Sequence, residues 1–256
     1  MQYLLIAFIA SVLGGVSGIG GGVIIKPSLD FFSSLDVSTI SFLSGCTVLS
    51  MTSVTLMRNR KLDIQLHPRI STLLAFGGIL GGLAGKQLFD SVYRLYSPST
   101  VSALQSAVLS IMVLGVLLFL IFKQKLTTWH IKNPVLIIFV GLFLGSIASF
   151  LGIGGGPINI ALLYLLFSMN SKEAALNSIF IIFLSQSASL IFTAARSLIP
   201  AFDPVHLVMM VAGGVSGALL GSFITRKVSL RGVDTVFGAV LIIILTMSTL
   251  NFIAAV

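Results

Sequence analysis

The chain has 256 residues and a mass of 27.1 kDa; 56% of the residues are hydrophobic, 9% are charged, and the formal net charge is +8. Soluble domains carry roughly 25% charged residues, so this composition cannot cover a water-facing surface and excludes the soluble globular class. A mean hydropathy of +1.11, with apolar runs of about 20 residues instead of alternating runs of about 10, predicts an all-α integral membrane protein and not a β-barrel.

In chain order, residues 1–35 come first and contain GGVSGIGGGVIIKP. Met1 to Val16 is apolar with no basic residue before it, which reads as part of the mature fold and not as a cleaved signal peptide. It suffices for about 24 Å of helix, and Val23 to Phe32 for only about 15 Å. Gly20, Gly21 and Gly22 lie between them, and glycine weakens a helix interior by about 1 kcal/mol each. The stretch therefore reads as a broken, re-entrant helical hairpin. Three full spans follow, at 38–57, 69–90 and 101–122. Each has enough apolar length to cross about 30 Å of hydrocarbon. Residues 123–133 form a basic linker. Residues 134–170, with GSIASFLGIGGGPINI, read as a second hairpin broken at Gly154, Gly155 and Gly156. Spans at 174–195, 205–225 and 233–253 complete the chain.

The order repeats. Ile19-Gly20-Gly21-Gly22 matches Ile153-Gly154-Gly155-Gly156 at an offset of 134. Pro68, Gly77, Gly81 and Gly85 match Pro204, Gly213, Gly217 and Gly221 at an offset of 136. The predicted halves are 1–122 and 134–256. Loop charge decides their orientation. A plain eight-span bundle with its N-terminus inside puts eight cations inside and seven outside. Hairpins that enter and leave on one face give three crossings per half and invert the second half. With both termini outside, Arg58, Arg60, Lys61, Arg69, Lys123, Lys125, Lys132, Lys172, Arg226, Lys227 and Arg231 then lie inside. Only Lys86, Arg94 and Arg196 lie outside, and Lys26 sits on a hairpin arm. Eleven against three favours two inverted repeats, the plan of many secondary transporters; the eight-span bundle is the alternative.

The lone Cys46 excludes an intrachain disulfide or cysteine cluster. His67, His130 and His206 are scattered and form no HExxH motif. The chain thus shows no metal site and implies no cofactor. There is no Walker motif and no nucleophile–base pair at depth, so the expectation is not an enzyme. Aromatics are mostly Phe inside apolar runs, which gives nucleic-acid binding no support.

Chemistry is expected at the hairpin tips. The first N–H groups of a helix lack partners and converge at a positive dipole end. Those ends are Gly20, Gly21, Gly22 and Val23 in one half, and Gly154, Gly155, Gly156 and Pro157 in the other. Donors favour an anion. Lys26 either neutralises that anion or acts as a gate charge, or else it snorkels to the surface or ends the hairpin near water with Asp30. Asn159, after the second glycine cluster, is expected to bond substrate or backbone, with packing as the alternative; Asn177 and Gln186 are costly in hydrocarbon and point inward; Ser44 and Thr47 share a helix face. The Gly77/Gly81/Gly85 and Gly213/Gly217/Gly221 stripes read as packing seams.

The doubled GxGGG motif with a following proline, at Gly18, Gly20, Gly21, Gly22 and Pro27 and at Gly152, Gly154, Gly155, Gly156 and Pro157, resembles the TauE/SafE family. The resemblance covers essentially the whole chain. It implies a multi-pass permease of a prokaryotic inner or plasma membrane, moving sulfite, sulfoacetate or a related organosulfonate. The expected partners are that small anion, the lipid bilayer and protons as coupling ion. The alternatives are a permease for another anion such as a carboxylate, and a non-transporting scaffold subunit.

Overall fold

The computed structural model describes residues 1–33, 35–59, 66–151, 153 and 156–255. Among these the chain is all-helical. Helix α1 (Gln2–Ser17) ends at Gly18, whose φ of 79° lets its N–H return to the Gly14 carbonyl at 2.9 Å. A Cβ at Gly18 would also run into the backbone of Ala175, so only glycine can both turn the chain and let it dock there. Helix α2 (Gly22–Phe32) returns over 11 residues. Helices α3 (Val37–Asn59), α4 (Pro68–Leu95) and α5 (Pro98–Phe122) follow, then a 3-10 turn at Lys123–Lys125. The second half repeats the order: α6 (Pro134–Leu151), α7 (Pro157–Phe167), α8 (Ser171–Ala195), α9 (Pro204–Lys227) and α10 (Leu230–Ala255).

Helix starts follow local chemistry. Pro68, Pro98, Pro157 and Pro204 each open a helix, where the missing N–H costs nothing. Asn170 and Glu173 form a capping box on α8, and Asp203 accepts from the Val205 N–H at 2.8 Å. The six expected spans coincide with α3, α4, α5, α8, α9 and α10, each a few residues longer. Among the described residues seven helices are long and apolar enough to cross a membrane. The seventh is α6, expected only as a hairpin arm. Its 18 residues give about 27 Å at 1.5 Å per residue.

Helix contacts come in matched pairs. Helix α4 packs on α6 as α9 packs on α1, and α4 meets α8 as α9 meets α3. Likewise α7 lies on α8 and α5, while α2 lies on α3 and α10. Helix α6 is thus clasped by α4, and α1 by α9. Small residues make both seams. A Cβ added at Gly77, Gly81 or Gly85 would strike the carbonyls of Ile138, Leu142 or Ser146 of α6. One at Gly213 or Gly217 would strike the carbonyls of Leu4 or Phe8 of α1. Lipid supplies no hydrophobic drive between helices, so such backbone-close packing holds them together.

Polar contacts sort the helix ends. Tyr3 lies on His206 with ring centroids 4.1 Å apart, and Thr39 donates to the Ala201 carbonyl. These bring together the starts of α1, α3 and α9. Elsewhere Lys123 pairs with Asp234 at 2.6 Å, Ser171 donates to the same carboxylate, and Arg226 donates to the Arg58 carbonyl. The N–H groups of Trp129 and Ile131 donate to Leu165 and Leu166 at the end of α7.

Candidate functional site

The two hairpin tips touch. A Cβ at Gly156 would meet Val23 and Ile19, and one at Gly22 would lie 3.2 Å from the Ile153 carbonyl. Beside this junction is a cavity of about 580 Å³, walled by α3, α4, α6 and α8. Lys26 of α2, Gln105 of α5 and Asn159 of α7 reach its wall.

Lys26 is 5% exposed. It does not snorkel: its Nζ donates to the Leu151 carbonyl at 2.9 Å, a group that the end of α6 leaves without a helix partner. Gln105 donates its Nε2 to the neighbouring Phe150 carbonyl. Two side chains from other helices therefore cap the broken end of α6. Asn159 sits in the first turn of α7, 3% exposed, and its carboxamide makes no hydrogen bond to the described residues. Gln186 lines the same cavity, close to Gly45.

The other expected residues are placed differently. Gly20, Gly21, Gly22, Val23, Gly156 and Pro157 are buried in the tip junction and do not line the cavity. The Gly21 N–H lies 3.2 Å from the Met51 sulfur. Gly154 and Gly155 lie outside the described residues. Ser44 is buried beside Gly22. Thr47 returns its hydroxyl to the Leu43 carbonyl and sets its methyl against Gly214. Asn177 is fully buried; its Oδ1 accepts from the His67 N–H and the Ser71 hydroxyl, and its Nδ2 donates to the Glu173 carbonyl. It ties α8 to the start of α4.

A second cavity of about 370 Å³ lies between α2, α5 and α10. It shares only Lys26 and Gln105 with the first. Sequence reasoning passed over Gln105, although it is the one carboxamide in an otherwise apolar span, α5.

Comparison with known proteins places this geometry. The model of the family described as sulfite exporter TauE/SafE matches residues 3–247. The chain belongs to the TauE/SafE family. A probable membrane transporter protein, YunE of Bacillus subtilis (strain 168), is 24% identical over 271 aligned residues, covering 94% of each chain. No solved structure matches. With seven apolar helices and this family membership, the chain is a multi-pass membrane transporter.

Proposed function

We propose that this TauE/SafE transporter is a secondary carrier of small sulfur-containing anions: sulfite, sulfoacetate or a related organosulfonate. The observation that carries the reading is the Lys26 ammonium, nearly fully buried, on the cavity wall where the two hairpins meet. Among the described residues its one hydrogen bond goes to a neutral carbonyl. An ammonium can donate three, so donors and a net positive charge remain for an anion. Asn159 and Gln186 add carboxamide donors on the same wall. The family's sulfite-exporter description fits an anion of this size.

The chain divides, on this reading, into repeats at 1–122 and 134–256 joined by the basic linker 123–133. The matched helix contacts support a two-fold repeat, and the loop charge favours its inversion. Both termini then lie outside the cell membrane, as the eleven inward cations require. One asymmetry supports alternating access. Gly78 of α4 faces the cavity, with Ser185 as its near neighbour, while its repeat partner Gly214 of α9 is closed on Thr47. One half is open where the other is packed, which a carrier must be in either end state.

The test is flux in liposomes of purified protein with sulfite, sulfate, thiosulfate, sulfoacetate and lactate. Saturable counterflow of a sulfur anion is expected. Lactate moving in preference to every sulfur anion would move the reading to a carboxylate permease. Absence of any counterflow would leave a scaffold role.

A further inference from the structure

The second cavity has no part in the reading above, yet it touches the first across the Lys26 side chain. Its charged lining consists of Lys26 and Asp30, four residues apart on α2 and so on one face. Ser102 and Ser106 of α5 and Ser248 and Asn251 of α10 give it a polar wall. The Ser110 hydroxyl donates to Ser248, which donates to the Ser106 carbonyl. A cavity of this volume and polarity accommodates water.

From this we propose that the second cavity is the coupling-proton site, with Asp30 as the proton acceptor. Lys26 turns its ammonium toward Leu151, and the ion pairs at contact distance among the described residues, Lys123–Asp234 and Asp203–His206, do not include Asp30. The Asp30 carboxylate is therefore open to a proton. It still feels the Lys26 charge one turn away. An anion that settles on Lys26 from the first cavity cancels that charge. Asp30 then takes a proton from hydronium delivered through the second cavity: one hydronium O–H bond breaks, leaving water, and one O–H bond forms on the carboxylate. One anion and one proton are bound together, and neither group is consumed when both are released.

The charge surroundings favour this pair. The helices packed against α2 are α1, α3 and α10. The charged side chains on α3 and α10 are Arg58, Arg231 and Asp234. All sit at the far ends of their helices, since Ser28 of α2 lies against Met247 of α10. Asp234 is about 20 Å further along α10 at 1.5 Å per residue. The first cavity adds Asp36 and Lys86, on its own wall and not in the second cavity.

The inference rests on the carrier reading, and the experiment separates the two. Proteoliposomes of wild type and Asp30→Asn are assayed with sulfoacetate, whose charge is constant near neutral pH. Counterflow at equal pH measures the carrier alone; net flux under a pH gradient measures coupling. Wild type is expected to show both, with apparent sulfoacetate affinity rising as pH falls, because linkage is reciprocal. D30N is expected to retain counterflow, lose stimulation by the gradient, and bind sulfoacetate with a pH-independent affinity. Gradient-driven flux in D30N equal to wild type would overturn the coupling site and leave the carrier standing. Wild type without counterflow would overturn the carrier reading and this one with it. Loss of counterflow in D30N, with correctly folded protein by gel filtration, would make Asp30 part of the anion site and overturn its separate coupling role.

Discussion

Replacing Lys26 separates two jobs that one side chain performs. It holds the Leu151 carbonyl and it holds a positive charge on the cavity wall. Lys26→Met removes both. The exposed carbonyl alone costs about 1–3 kcal/mol of stability when left buried without a donor. A unit charge 4 Å from an anion is attracted by about 4 kcal/mol at an effective dielectric constant of about 20. Water in the open cavity screens part of this; taking half leaves about 2 kcal/mol, or about thirty-fold in affinity at about 1.4 kcal/mol per decade. Lys26→Gln keeps an N–H donor, one atom shorter, without the charge. The expected order is therefore different in two assays. In thermal unfolding, Met falls well below wild type and Gln falls between them. In counterflow, both lose affinity about equally. A Gln variant with wild-type affinity would show that the charge does not hold the substrate.

Two further predictions follow from packing and from the unpaired carboxamide. Gly81→Ala drives a Cβ into the Leu142 carbonyl, whereas Gly82, next in sequence, has nothing within 4 Å of its would-be Cβ; G81A is expected to lose about 1–3 kcal/mol of stability and G82A almost none, read by thermal unfolding in detergent, and equal loss in both would refute the seam. Asn159→Leu removes a carboxamide with no partner among the described residues, so its unfolding temperature is expected to hold or rise while substrate KM increases about five- to tenfold, the worth of one hydrogen bond of about 1–1.5 kcal/mol; unchanged KM would remove Asn159 from the binding wall.

Much of the fold was legible because the bilayer reads sequence crudely. Length and apolarity locate α3, α4, α5, α8, α9 and α10 to within a few residues, and the first glycine cluster locates the turn between α1 and α2. The stripes at Gly77 and Gly213 named the seams but not their partners. The partners are α6 and α1, each an arm of the opposite half. Nothing in a linear offset says which half a helix will embrace. The site was less legible for a related reason. Periodicity assigns a residue to a face but not to a neighbour, so Thr47 and Gln186, both on the spans after the hairpins, could not be told apart. One turns out to pack on Gly214 and the other to line the cavity. Gln105 escaped notice because it stands outside the glycine motifs.

The break in α6 and the buried lysine explain one another. The end of α6 leaves carbonyls without intrahelical partners, and each is expensive if buried unpaired. Residues outside α6 must supply the donors. Gln105 supplies a neutral one and Lys26 a charged one, to adjacent carbonyls. The carbonyl end of a helix is also where a cation is electrostatically welcome, so the site that needs a donor is the site that tolerates an ammonium. A carboxylate at the same place would face the negative end of that helix and offer no donor. The polarity of that helix end thus favours a positive charge at the cavity wall, the feature on which the proposed anion reading rests. The first-half glycines that looked like binding groups line no cavity: Gly18 turns the chain at the end of α1, and Gly22 packs against the Ile153 carbonyl.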